Sequence, residues 1–191
     1  YFMFWDKFEK ANYFLENIIL TIDKPRDGRL LMYLLSNPIQ DGGQWHMFIN
    51  LINKYGVLPK TEMPESYQSS NSALMNRTIT RKLRENAMDL RKAHRKGTSL
   101  KELRLMKIKM LEIIYQLLVI HLGSPPEKFN WQVRDKDEKF HRFDRVTPRS
   151  FFLEHVGLNL DEYACLINCP MTDKNYNEVY TVEYLGNVCG G

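Results

Sequence analysis

The sequence is poor in cysteine, since its 191 residues include only Cys165, Cys169 and Cys189. An odd number of cysteines without a Cys-x-x-Cys pair indicates neither a disulfide framework nor a zinc site. Histidine is also sparse, and none of the five residues at positions 46, 94, 121, 141 and 155 pairs with another at metal-ligand spacing on a helix. We therefore predict no metal and no cofactor, a reducing compartment, and buried strand-end positions for Cys165 and Cys169.

Long apolar runs are absent as well. No stretch approaches the roughly 18 apolar residues of a membrane span, and the N-terminus lacks the basic and then apolar pattern of a signal peptide. With 43% hydrophobic and 12% aromatic residues, the chain can bury one good core with a smaller satellite. These features predict a soluble, globular protein with no membrane partner. Because the chain opens on Tyr1 rather than on Met and stops at Gly191, we expect it to be an internal part of something longer.

The first third of the chain is predicted to be helical. Apolar residues from Phe4 recur at steps of three and four, which predicts one helix of about five turns, and Arg29 to Leu35 predicts a shorter one. Asp41 is predicted to cap a third helix, with Gln44 completing a capping box. This helix continues through Trp45, Phe48, Ile49, Ile52 and Tyr55, and Gly56 is predicted to end it.

The remainder predicts a helical hairpin followed by a mixed region. Pro59 to Ser72 reads as a loop with at most one helical turn, and it is the best internal boundary. An amphipathic helix then ends near Gly97, and Ser99 with Glu102 forms a capping box at the start of a long helix that Gly123-Ser-Pro-Pro ends. Further predictions are strands at Phe129–Val133 and Lys139–Phe143 paired across Asp135-Lys-Asp, a helix from Thr147-Pro148 to about His155, and strands at Ala164–Asn168 and Val179–Leu185.

Gly42 and Gly43 are unusual in the predicted first turn of the third helix, because each glycine costs about 1 kcal/mol there relative to alanine. Without side chains another backbone can approach closely, so an extended peptide could exchange main-chain hydrogen bonds at this point. A tight Asp-Gly-Gly turn that binds no ligand is the simpler explanation of the same pattern. The residues alone leave both interpretations open.

The hairpin region concentrates positive charge. Residues 77–109 contain 12 Lys or Arg and three acidic residues, a net charge of +9, whereas the whole chain carries +4. Such a surface can bind nucleic acid phosphates, pair with acidic partners or remain solvated. The stretch has no aromatic residue to stack on bases and no base-reading motif, which favours solvation and oligomer contacts over weak, non-specific nucleic acid binding.

Several blocks resemble one branch of the papain-like cysteine proteases, formed by bleomycin hydrolase and its bacterial relative aminopeptidase C. In chain order the blocks are Phe4 to Lys7, Glu9 to Leu15, Asp41 to Trp45, Lys54 to Val57, Pro64 to Tyr67 and Tyr180 to Asn187. The resemblance spans nearly the whole chain and is looser between about Ser69 and Lys109. It implies an α+β, predominantly helical fold, the central fragment of a papain-like fold with a helical insertion.

The resemblance divides the chain into three parts: a helical lobe at 1–68, a basic helical hairpin insertion at 69–124, and a mixed strand and helix start of the second lobe at 125–191. It implies that Gly43 hydrogen-bonds the substrate residue two back from the scissile bond and that Trp45 lines the pocket for that residue. Asp41, Gly42, Gly43, Gln44 and Trp45 are therefore the predicted substrate-binding residues.

The catalytic cysteine, histidine and asparagine of the family match no motif here, so the resemblance implies that this chain alone is inactive. The parent would be an aminopeptidase that acts on peptides through a thioester, and its helical insertions would build a hexamer. Gln40 stands where secreted papain-like enzymes usually have a disulfide cysteine, which fits a cytoplasmic location. The alternative is a non-catalytic basic helical module that binds nucleic acid or a protein partner.

Overall fold

The computed structural model describes residues 1–166, 168 and 171–180. The α-helices are α1 (Phe2–Leu20), α2 (Arg29–Ser36), α3 (Trp45–Tyr55), α4 (Tyr67–Ser70), α5 (Ala73–Arg95), α6 (Leu100–Leu122) and α7 (Pro148–Phe151), and the strands are β1 (Phe129–Arg134) and β2 (Phe140–Val146). A π-helical turn at Phe152–Val156 follows α7, and a 3-10 turn covers Leu160–Glu162. The predicted α+β, predominantly helical class is confirmed. Every helix in the described stretches is too short or too polar to traverse a lipid bilayer.

The chain forms two compact units, one of Tyr1–Gly42 with Met63–Pro125 and one of Gly43–Glu62 with Pro126–Gly191. These units group segments by spatial contact. The predicted boundaries at 68 and 124 instead separate a helical lobe, an insertion and a second lobe of a papain-like fold. This division stays a prediction.

In the first unit, α1 packs against α5 and α6. The face of α1 that carries Phe4, Ala11, Leu15 and Ile18 is fully buried. The ring of Phe4 lies 5.1 Å from that of Tyr115 on α6, in an edge-to-face arrangement. The predicted helix of about five turns is confirmed, and most of its stabilisation comes from burying this apolar face.

Helices α5 and α6 form the predicted hairpin. The N–H of Glu102 donates to Oγ of Ser99 at 3.3 Å, and the N–H of Ser99 donates to the Glu102 carboxylate at 2.9 Å, so the predicted capping box is confirmed. Glu16 on α1 pairs with Arg104 at 2.8 Å and Lys107 at 2.6 Å on α6. Two of the clustered cations are therefore used to attach the hairpin to α1.

In the second unit, β1 and β2 form an antiparallel pair in which Trp131 lies opposite Phe143 and Val133 opposite His141. The predicted hairpin is confirmed, with a second strand that extends to Val146. The Asp135 carboxylate accepts hydrogen bonds from the N–H groups of Asp137 and Lys139 and so closes the turn. The Trp131 ring also packs edge-to-face against Phe151 of α7 at 4.8 Å.

Two predictions near the C-terminal end are wrong within the described residues. Ala164, Cys165, Leu166 and Asn168 have no strand structure, and Cys165 is exposed rather than buried. The alternation of small and apolar residues at 164–168 resembled a strand, but no partner strand pairs with the described part of it. Cys169 and most of the predicted strand Val179–Leu185 lie outside the described residues.

Candidate functional site

The segment Asp41–Trp45 connects Gln40 to the start of α3. The helix begins at Trp45, with Gln44 in extended conformation as its N-cap residue. The prediction that Asp41 caps this helix in a box with Gln44 is therefore wrong. Gly42 and Gly43 precede the helix, so the cost of glycine inside a helix does not apply to them.

Asp41 is instead held by three side chains of the first unit. Its Oδ1 accepts a hydrogen bond from Nζ of Lys7 at 2.6 Å, and its Oδ2 accepts from Ser72 at 2.9 Å and from Asn76 at 3.0 Å. The hydrogen bond from a lysine ammonium to a carboxylate is charge-assisted and about twice as strong as a hydrogen bond between neutral groups. A carboxylate that is already bound to a lysine therefore gains little by capping a helix instead. This explains why the capping pattern misled.

These contacts govern the electrostatics of the segment. The Lys7 ammonium, followed by Asn76 and Ser72, lowers the pKa of Asp41 to about 2. Burial lowers the pKa of Lys7, and the neighbouring Lys10 adds to that effect. Asp41 is therefore ionised at neutral pH and acts as an acceptor only.

The two glycines differ in what they require. Gly42 has φ +84°, a conformation that disfavours L side chains, whereas the φ of Gly43 lies outside that region. A Cβ built on Gly43 would meet a single described atom within 4 Å, the sulfur of Met47 at 3.7 Å. The backbone conformation therefore accounts for Gly42, but neither conformation nor packing accounts for a glycine at position 43.

The N–H of Gly43 is also free of acceptors among the described residues. It lies on an exposed residue directly before Gln44, whose backbone is extended. An exposed amide with no side chain beside it can donate to the backbone of an extended peptide.

Trp45 starts α3 with a half-buried ring. The ring lies 5.9 Å from Phe48 and 6.0 Å from Tyr163, between centroids. Tyr163 was not predicted as a neighbour, because it is 118 positions away and stands in irregular structure. An apolar wall of this kind suits an apolar side chain.

Four side chains that hold the segment were not predicted from the sequence: Lys7 and Lys10 on α1, and Ser72 and Asn76 at the start of α5. Lys7 is 1% exposed, in register with the buried residues Phe4 and Ala11. A lysine at a core position of an amphipathic helix is the signal that could have found it, because a buried ammonium needs several acceptors.

No three His, Cys, Asp or Glu side chains among the described residues come together in a way that could hold a metal ion. The segment Asp41–Trp45 offers exposed backbone amides, the ionised carboxylate of Asp41 and the aromatic ring of Trp45. These are the groups that bind a peptide backbone and a side chain.

The model of the Peptidase C1-like family matches residues 1–191, and the chain belongs to this family. Aminopeptidase C of Listeria monocytogenes is 48% identical over 191 residues, which are 100% of this chain and 43% of that protein. Bleomycin hydrolase of Gallus gallus is 43% identical over 195 residues, which cover 100% of this chain and 43% of that protein. The predicted resemblance to this branch is confirmed.

A crystal structure of PepW from Lactobacillus rhamnosis shares the fold with a TM-score of 0.93 and 49% identity, over 99% of this chain and 42% of that one. The chain thus spans about two fifths of the length of the relatives it matches.

Proposed function

We propose that the chain is part of a cytoplasmic cysteine aminopeptidase that hydrolyses N-terminal peptide bonds through a thioester intermediate. Membership of the Peptidase C1-like family supports the chemistry, and relatives named aminopeptidase C and bleomycin hydrolase support the substrate class. In this reaction a cysteine thiolate attacks the scissile carbonyl, the amine leaves with a proton, and water then hydrolyses the thioester. The family pattern assigns the cysteine, histidine and asparagine to segments other than this chain.

The role proposed for this chain is substrate binding by Asp41, Gly42, Gly43, Gln44 and Trp45. The observation that carries it is the unoccupied N–H of Gly43 at a residue where no structural constraint requires glycine. In this proposal the Gly43 N–H donates to the backbone of the bound peptide. Trp45 lines the pocket beside it, and Asp41 anchors the segment.

Gly43→Val in the complete enzyme tests this proposal. The branched side chain should obstruct the approach of the substrate backbone and lower kcat/KM about tenfold or more, which corresponds to losing one or two backbone hydrogen bonds. Alkylation of the catalytic cysteine by iodoacetamide should keep its rate, because this small reagent does not use the segment.

Gly43→Ala is the matched control for folding, since its Cβ has room beside Met47. The melting temperature and active-site-titrated kcat/KM are measured on the same preparations. A destabilised Gly43→Val enzyme with unchanged kcat/KM would remove substrate binding from this segment.

The proposal also includes a homohexamer in which the hairpin insertion at 69–124 makes subunit contacts, as the family pattern implies. Exposed apolar residues on α6, including Leu105, Ile108 and Ile120, fit such contacts. Sedimentation of the complete enzyme tests the oligomeric state, and a monomer at micromolar concentration would contradict it.

A second candidate function, weak binding of nucleic acid, rests on the basic hairpin. Six of its cationic side chains are exposed and make no hydrogen bond or ion pair within the described part of the chain: those of Arg77, Arg81, Lys92, Lys96, Lys101 and Lys109. Others are engaged, since Arg84 donates to the carbonyls of Leu35 and Ser36. The available charge is therefore smaller than the sequence indicates.

Binding of unrelated DNA duplexes at two salt concentrations tests this candidate. We expect similar affinities for all sequences and a steep loss with salt, because phosphate contacts release counterions. Selective or salt-independent binding would contradict this interpretation.

A further inference from the structure

Aspartate is followed directly by glycine at two places in the chain, Asp27 before Gly28 and Asp41 before Gly42. An Asp-Gly pair isomerises more readily than other aspartate pairs, because glycine has no side chain to hinder attack by its own nitrogen on the aspartate. Both aspartates are exposed. The sequence alone therefore gives two equivalent sites for this modification.

The modification proceeds through a cyclic imide. The glycine nitrogen attacks the side-chain carboxyl carbon of the preceding aspartate, a C–N bond forms, and the carboxyl OH leaves with the amide proton as water. Water then cleaves the bond between the same nitrogen and the main-chain carbonyl carbon. The product is isoaspartate, in which the main chain runs through the former side chain. One water is released and one is consumed, and the reactive form of the carboxyl group is the protonated one.

The structure distinguishes the two sites, first through the carboxylate of Asp41. It accepts hydrogen bonds from Lys7 at 2.6 Å on Oδ1, and from Ser72 at 2.9 Å and Asn76 at 3.0 Å on Oδ2. Rotation of the carboxyl carbon towards the nitrogen of Gly42 would have to break these contacts. The Lys7 ammonium also lowers the pKa of Asp41 from 3.8 to about 2, so at neutral pH its protonated form is roughly sixtyfold scarcer than at the ordinary pKa.

Asp27 has none of these restraints. Its side chain makes no hydrogen bond or ion pair within the described part of the chain. The nitrogens differ in the opposite sense, since the Gly28 N–H donates to the Pro25 carbonyl at 3.1 Å, whereas the Gly42 N–H has no acceptor among the described residues. Availability of the nitrogen would therefore make Asp41 the faster site, and availability of the carboxyl group makes Asp27 the faster one.

We propose that Asp27 is a site of isoaspartate formation and that Lys7, Ser72 and Asn76 keep Asp41 from the same modification. Isomerisation at position 41 would add a methylene group to the main chain directly before Gly42. It would also remove the carboxylate from its three donors and displace the segment that leads into α3. The inference goes beyond the proposed function and does not depend on it.

The rates at the two positions in the complete enzyme test the proposal. The enzyme is incubated at mildly acidic pH below its melting temperature and then digested with Asp-N endoproteinase, which cleaves before aspartate but not before isoaspartate. Mass spectrometry measures the uncleaved peptides that span each position. We expect isoaspartate to form at least about tenfold faster at position 27 than at position 41. In concentrated urea the two rates should become similar, because the contacts of Asp41 are then lost.

Ser72→Ala combined with Asn76→Ala removes both donors to Oδ2 and keeps the contact with Lys7. We expect the rate at position 41 to rise several-fold, with the rate at position 27 unchanged as the internal control. Asn76→Ala alone is the second variant if the double variant does not fold, as judged from its melting temperature, and it should raise the rate at position 41 by less.

Three results would overturn the proposal. One is a rate at position 41 in the folded wild-type enzyme that equals or exceeds the rate at position 27. Another is an unchanged rate at position 41 in a folded variant that lacks the donors to Oδ2. The third is an Asp27 that reacts in urea and not in the folded enzyme, because its free carboxylate would then not be what makes it the modified site.

Discussion

Replacement of Gly56 by alanine is expected to be the most destabilising single change at any glycine of the described chain. Gly56 follows α3 with φ +72° and ψ −162°, a region that is occupied almost only by glycine. A Cβ there would overlap the carbonyl carbon and oxygen of Pro148 and the nitrogen of Arg149. These are backbone atoms, and the Val57 N–H donates to the same Pro148 oxygen at 3.0 Å. The overlap therefore cannot be relieved without loss of the contact between α3 and α7.

Two effects combine in the expected magnitude. The backbone conformation costs an alanine about 1–3 kcal/mol, and overpacking adds about 1–3 kcal/mol. Gly123→Ala is the matched control, since Gly123 has nearly the same conformation, with φ +85° and ψ 165°. A Cβ at Gly123 would meet no described atom within 4 Å, so only the backbone cost applies.

Urea denaturation of both variants measures the difference. Tryptophan fluorescence reports on both units, through Trp45 and Trp131 in the unit of Gly56 and through Trp5 in the other, and circular dichroism reports on the helices. We expect Gly56→Ala to lose about 1–3 kcal/mol more than Gly123→Ala. Equal losses would refute the argument, because they would mean that contact with Pro148 has no energetic consequence.

Two further predictions concern activity and pH. The 191-residue chain assayed alone on aminoacyl fluorogenic substrates should be inactive, and thiol-dependent turnover abolished by mutation of Cys165, Cys169 or Cys189 would contradict this. The pKa of Asp41 is lowered in the folded chain from 3.8 to about 2, so the stability that its hydrogen bonds contribute should be complete above about pH 4 and lost as the pH falls towards 2. Because the Asp41 side chain is 58% exposed, we expect its hydrogen bonds to contribute at most about 1 kcal/mol to the free energy of unfolding. Asp41→Asn should remove this part of the pH dependence of urea unfolding. An unchanged pH profile would refute the role of Asp41.

Much of the secondary structure followed from the sequence, because its signals are local. The three- and four-residue spacing of apolar side chains predicted α1, α5 and α6, and Ser99 with Glu102 marked the start of α6 correctly. Gly56 was correctly predicted to end α3, although only the fold shows that its missing side chain also accommodates Pro148. Family membership was equally accessible, since the blocks of residues that carry the resemblance are short and contiguous.

The candidate site depended on tertiary structure. Asp41 and Gln44 had the spacing of a capping box, but Lys7, 34 positions away in sequence, offers a stronger partner to the carboxylate. The carbonyl of Gly42 accepts a hydrogen bond from Lys10, 32 positions away. The sequence by itself determined which segments are helical and which family the chain resembles, because neighbouring residues encode both. Only the tertiary structure decided which groups hold the glycine segment, because a buried ammonium binds whichever acceptors the fold brings within reach.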